Sequence, residues 1–116
     1  MKTEKYYTEA ISDALSKARE YTFKREDAFQ SMYKKLNVGI EVSFEDWFEY
    51  SKFKTIPKKI LKAINKNEEI AKLDRDIKKY NSICRNYHTK AYKLQDEYKS
   101  NYPKTALDNI KKLLNF

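Results

Sequence analysis

Residues 70–98 read IAKLDRDIKKYNSICRNYHTKAYKLQDEY. Apolar side chains recur at Ile70, Leu73, Ile77, Tyr80, Cys84, Tyr87, Ala91, Leu94 and Tyr98, in steps that alternate three and four. Residues at that spacing share one face of an α-helix. The stretch is therefore an unbroken heptad seam, and it must pack along its length against another helix.

A matching seam lies upstream, through Tyr7, Ile11, Ala14, Ala18, Tyr21, Arg25, Ala28 and Met32. Leu15, Phe29, Tyr33 and Leu36 widen it beyond a strict coiled-coil stripe. Arg25 interrupts the row and is expected to snorkel outward or to pair with an acid on a neighbouring helix. Thr3, Ser43, Thr55 and Asn67 are the N-cap candidates, each followed by a helix-forming run. Pro57 suits a first turn, where its missing N–H costs nothing, and Pro103 blocks continuation of the long helix. Asn37 to Gly39 suits a left-handed C-cap, and Ile40 to Val42 reads as a short extended connection.

These signals predict an all-α single domain. Two long helices, about 3–36 and 68–101, form an antiparallel hairpin. Short helices at about 44–52 and 56–65 cover one end, and a C-terminal helix at about 104–115 packs near the other. On the short helices the expected inner faces are Phe44, Trp47, Phe48 and Ser51, then Ile56, Ile60, Leu61 and Ile64. On the last helix they are Leu107, Ile110, Leu113, Leu114 and Phe116. The rival arrangement is a homodimer in which the long helix pairs with its own copy.

One Gly and two Pro in 116 residues leave few turns, which agrees with long helices. The single Cys excludes an internal disulfide framework. No apolar run approaches a membrane span, and no basic-then-apolar leader opens the chain, so a cytoplasmic location is the default expectation. The net charge of +8 favours polyanionic partners: nucleic acid, a nucleoprotein complex or an acidic protein.

Ser43 to Asn65, about a fifth of the chain, resembles a helix-turn-helix. The run from Ser43 to Tyr50 has the polarity of the supporting helix. Thr55 to Asn65 would be the recognition helix, with Lys58, Lys59 and Lys62 outward. The resemblance implies entry of that helix into a DNA major groove. Phe48 stands where a small residue is usual, Lys52 where a Gly is usual, and the turn is about a residue too long. From Lys52 to Lys66 there are six lysines and no acid.

A second basic stretch lies opposite the seam of the long helix, where no acid occurs between Asp76 and Asp96. Asp74 is assigned to the mixed, solvated flank of that helix. The residues expected to contact nucleic acid are Lys54, Lys58, Lys59, Lys62, Lys78, Lys79, Arg85 and Lys93, which neutralise phosphates, and Tyr92, which stacks on a base.

The alternative is a protein-binding inhibitor, adaptor or immunity-type protein of a phage, plasmid or other mobile element, docking through an exposed aromatic patch at Trp47, Tyr50 and Phe53. Cys84 and His88 stand one helical turn apart but lack further soft ligands within the chain, so no metal and no cofactor is expected. With no glycine-rich phosphate loop and no paired catalytic carboxylates, no enzymatic activity is expected either.

Overall fold

The structure, a computed structural model, describes residues 2–114. Five helices follow in order: α1 (Glu4–Leu36), α2 (Phe44–Ser51), α3 (Lys58–Lys66), α4 (Glu68–Asn101) and α5 (Ala106–Leu114). No strand occurs among the described residues. α1 and α4 pack against each other, with the short helices around them. The expected end of the last helix at 115 and an inward Phe116 lie outside the described residues.

Three of the four expected caps form. Thr3 Oγ1 accepts from the Tyr6 N–H at 3.1 Å, Ser43 Oγ from Asp46 at 3.2 Å, and Asn67 Oδ1 from Glu69 and Ile70 at 3.0 and 3.3 Å. Each satisfies amides that the first turn of a helix leaves without an internal partner. Thr55 does not cap α3. Its hydroxyl donates to Glu49 at 3.3 Å, and Pro57, in extended geometry, occupies the cap position with its carbonyl bonded to Leu61.

The helices fall into two compact units, and α1 and α4 contribute to both. The first unit holds α1 up to Thr22, α4 from Ser82, and α5. Its core is Tyr7, Ile11, Leu94, Tyr98, Ala106 and Ile110. Tyr7 and Tyr98 stack with centroids 5.2 Å apart. Each hydroxyl has a carboxylate and an amide: Tyr7 donates to Glu97 and accepts from Asn101, both at 2.7 Å, while Tyr98 donates to Glu4 at 3.0 Å and accepts from Asn109 at 2.8 Å. The hydroxyl that a Tyr brings into a seam thus finds partners on both helices and on α5. Glu4 also accepts from Thr105. Ala14, Ala18, Cys84 and Ala91 are buried, and side chains this small suit close approach of two helices. On α5 the inward residues are Ala106, Ile110 and the half-buried Leu113. Leu107 and Leu114, expected inside, are exposed, because one stripe of a two-turn helix cannot hold all five positions.

The second unit holds α1 from Phe23, α2, α3 and α4 up to Asn81. Ala28, Phe29, Met32 and Leu36 meet Val42, Tyr50, Ile60, Ala63, Ile70 and Ile77. Full burial of a side chain such as Met32 or Ile60 contributes about 1.5–3 kcal/mol. Three expectations are corrected here. Phe44 and Phe48 lie outside, Phe44 74 % exposed, while Tyr50 is 5 % exposed. Leu61 is exposed, and Ala63 takes the inner position on α3. Gly39 makes no left-handed cap: residues 37–40 form a turn, and positive φ occurs at Glu41 (52°) and Phe53 (59°). Asn37 does help to end α1, its side-chain amide donating to the Tyr33 carbonyl at 2.9 Å.

Candidate nucleic-acid interface

The lysine run begins where α2 ends. Lys52 is the C-cap of α2; its N–H bonds back to the Glu49 carbonyl at 3.2 Å, and the Phe53 N–H bonds to the Tyr50 carbonyl at 3.1 Å. Phe53 follows in the left-handed region, a conformation that costs a non-glycine residue about 1–3 kcal/mol. Six residues, 52–57, separate α2 from α3. A helix-turn-helix uses three or four, so the expected resemblance fails in the connection.

Ile60 and Ala63 turn the apolar side of α3 into the core, which leaves Lys58, Lys59 and Lys62 exposed on its other side. Lys54 is exposed as well. None of these four lysines has a carboxylate within ion-pair distance among the described residues. That differs from α1 and the first turns of α4, where Lys35 pairs with Glu69 at 2.6 Å and Arg75 with Glu68 at 2.7 Å.

Lys78 is held differently. Its ammonium pairs with Oδ2 of the buried Asp74 at 2.9 Å, and Oδ1 of Asp74 accepts from the Tyr50 hydroxyl at 2.6 Å. Asp74, expected on the solvated flank, is therefore buried and bridges the buried Tyr50 hydroxyl to the exposed Lys78 ammonium. Burial first, and the Asp74 hydrogen bond next, push the Tyr50 phenol far above its ordinary pKa. Tyr50 is not part of an exposed patch. Lys54 and Lys78 line one cavity of about 230 Å³ with Tyr50, Phe53, Thr55 and Ile56. Lys79 is exposed on α4. Arg85, Tyr92 and Lys93 belong to the other unit, all exposed, with Tyr92 61 % so and stacked on His88 at 6.3 Å.

A larger cleft of about 650 Å³ also has Phe53 and Lys54 in its lining. Phe29, Trp47 and Phe53 form its aromatic wall, with Phe29 edge-on to both partners at 5.8 Å. Arg25 stands at its margin. Its Nη1 donates to Oδ1 of Asn81 at 2.7 Å and its Nη2 reaches Glu26 of the same helix at 3.5 Å. Arg25 thus pairs with an amide, not with an acid of a neighbouring helix. Its Nε is buried without an acceptor among the described residues. Of the cleft's lining, the sequence had marked Arg25 as a cation in the seam, Lys54 as a phosphate contact, and Trp47 and Phe53 as part of an aromatic patch; Asn81 gave no signal.

The exposed aromatics gather on a different face. Phe44 and Phe48 stack one helical turn apart at 6.0 Å, and Tyr33 leans on Trp47 at 5.2 Å. Phe29, Tyr33, Phe44 and Trp47 line a groove of about 390 Å³. The groove's lining carries one acid and one lysine, Glu26 and Lys34, and the Lys52 ammonium lies 4.1 Å over the Phe48 ring.

In the first unit Cys84 is buried, and its Sγ lies 3.0 Å from Thr22 Oγ1. The Thr22 hydroxyl proton goes to the Ala18 carbonyl at 2.9 Å, so the thiol donates to Thr22. Among the described residues no group of three or more His, Cys, Asp or Glu could hold a metal, and no helix is long and apolar enough to cross a membrane. No family model, no curated protein and no solved structure matches the chain.

Proposed function

We propose that the protein is a non-enzymatic nucleic-acid-binding protein that engages phosphates, free or within a nucleoprotein complex, through the lysines between α2 and the end of α3. The observation that carries this reading is the set Lys54, Lys58, Lys59 and Lys62, exposed and without carboxylate partners among the described residues, in a stretch with no acid. Ammonium groups not already paired lose no intramolecular bond on meeting a phosphate, and they release condensed counterions when they do. A salt series with labelled duplex and single-stranded DNA tests the reading. Log K should fall linearly with log salt, and K58E/K59E/K62E should abolish binding. Absence of binding at low salt overturns it.

A second reading is a protein-docking module. It is supported by the exposed aromatics Tyr33, Phe44 and Phe48, since a cluster of exposed rings is more informative than scattered surface lysines. It predicts that F44S/F48S abolishes association with a partner protein while leaving the salt-dependent DNA affinity unchanged.

A further inference from the structure

The cleft beside Phe53 has three properties that an ordinary surface depression lacks. Its wall is aromatic, Phe29, Trp47 and Phe53. Its lining carries Arg25, Lys52 and Lys54 against one carboxylate among the described residues, Glu26, so it is net positive. It also contains unspent hydrogen-bonding groups. Arg25 Nη1 and Nη2 each spend one N–H, on Asn81 and on Glu26, and each keeps a second. The Asn81 Oδ1 is taken by Arg25, which leaves its amide N–H groups. Ser51 donates to the Phe48 carbonyl at 2.9 Å, so its oxygen remains as an acceptor.

Phe53 adds an independent observation. It follows the α2 C-cap in left-handed geometry, where glycine is the usual residue and a bulky side chain is strained. The ring is still 43 % exposed, so core packing accounts for only part of its presence. A strained residue displayed at the lip of a polar cleft is the pattern of a functional contact.

We propose, resting on the nucleic-acid reading above, that this cleft holds one unpaired nucleotide of a single strand, the base against the Phe53–Trp47 wall and its phosphate against Arg25 and Lys54. A recessed aromatic wall is out of reach of bases stacked inside a duplex, whereas a splayed base presents its whole face. The Arg25 fork, steadied by Asn81, matches phosphate oxygens better than a flexible ammonium does. Lys52 serves the rim less directly, because its ammonium sits 4.1 Å over the Phe48 ring. Lys58, Lys59 and Lys62 then neutralise the neighbouring phosphates of the same strand.

Trp47 is the only tryptophan in the chain and lines both this cleft and the groove with Tyr33 and Phe44, so an emission change is assigned to the cleft when F53G diminishes it. The full-length protein is titrated at low salt with fluorescein-labelled oligothymidylate and with a labelled hairpin duplex, reading anisotropy and, with unlabelled strands, Trp47 emission. The expected result is tighter binding of the single strand with a change in Trp47 emission. F53G, which relieves the left-handed strain, keeps the fold and loses about tenfold in single-strand affinity, the scale of one base–aromatic stack. Salt-dependent binding with Trp47 emission unchanged, and with F53G equal to the parent, overturns the cleft and leaves the lysine reading standing. No binding of either nucleic acid overturns both. Binding to the unaltered chain with no change in Trp47 emission overturns the cleft even if F53G does not fold.

Discussion

The Tyr50 hydroxyl donates a 2.6 Å hydrogen bond to Oδ1 of Asp74, and both residues are buried. This pair joins α2 to α4, and through Oδ2 it fixes Lys78 beside the loop that carries Lys54. Replacing Tyr50 by Phe keeps the ring packing against Phe29 and Trp47 but takes one of two bonds from a buried carboxylate. The expected cost is about 1–3 kcal/mol, read as a lower denaturant midpoint with an unchanged slope.

Alkaline pH should weaken the fold through the same residue. Burial, then the Asp74 bond, hold the Tyr50 phenol above its ordinary value, and burial raises Tyr7 and Tyr98 in the same direction. A proton held more tightly in the folded state stabilises fully below the unfolded pKa, and that stabilisation is lost as pH rises. Urea midpoints should therefore fall above about pH 10. The loss should be smaller in Y50F. An equal loss in both proteins contradicts the assignment to Tyr50.

Acid acts on the other unit through Glu97. The Tyr7 hydroxyl bond, with Lys2 at 3.6 Å adding to it, holds this carboxyl below its usual range. A depressed carboxyl stabilises above its unfolded pKa, and the contribution disappears as pH falls below about 4. E97Q should flatten the acid limb of the stability profile, and Y7F should do so in part.

Gln95 is buried on α4, with Nε2 lacking an acceptor among the described residues. An unpaired buried amide costs free energy that an apolar side chain of similar shape does not. Gln95→Met should therefore raise stability by about 1 kcal/mol, seen as a melting temperature a few degrees higher. A lower melting temperature would show that the amide has a partner in solution.

Cys84 should resist a thiol reagent in the native protein and react fully in denaturant. It is buried, and its S–H donates to a threonine whose own proton is committed. A thiol reacts only where the reagent can reach it, and burial denies that access here. Fast native labelling would refute the packing described for α1 and α4 at Thr22 and Cys84.

The alternating three–four steps through Ile70, Ile77, Cys84, Ala91 and Tyr98 were sufficient, as sequence, to define α4 and the face it buries. The Tyr7–Met32 series did the same for α1. Thr3, Ser43, Asn67 and Pro103 marked four helix ends, because capping and proline geometry are local. Short helices were less legible. Periodicity put Phe44, Trp47, Phe48 and Ser51 inside on α2; Trp47 does pack on the core, but Phe44 and Phe48 are exposed. Only tertiary structure turned Tyr50 inward, since a buried tyrosine needs a partner and Asp74, 24 positions away, supplies it. The same holds for the candidate site. The lysine run was visible as a string of residue types. The cleft was not, because it depends on Arg25, Ser51, Phe53 and Asn81 meeting across three helices, and on a left-handed turn at a phenylalanine that no local rule assigns there.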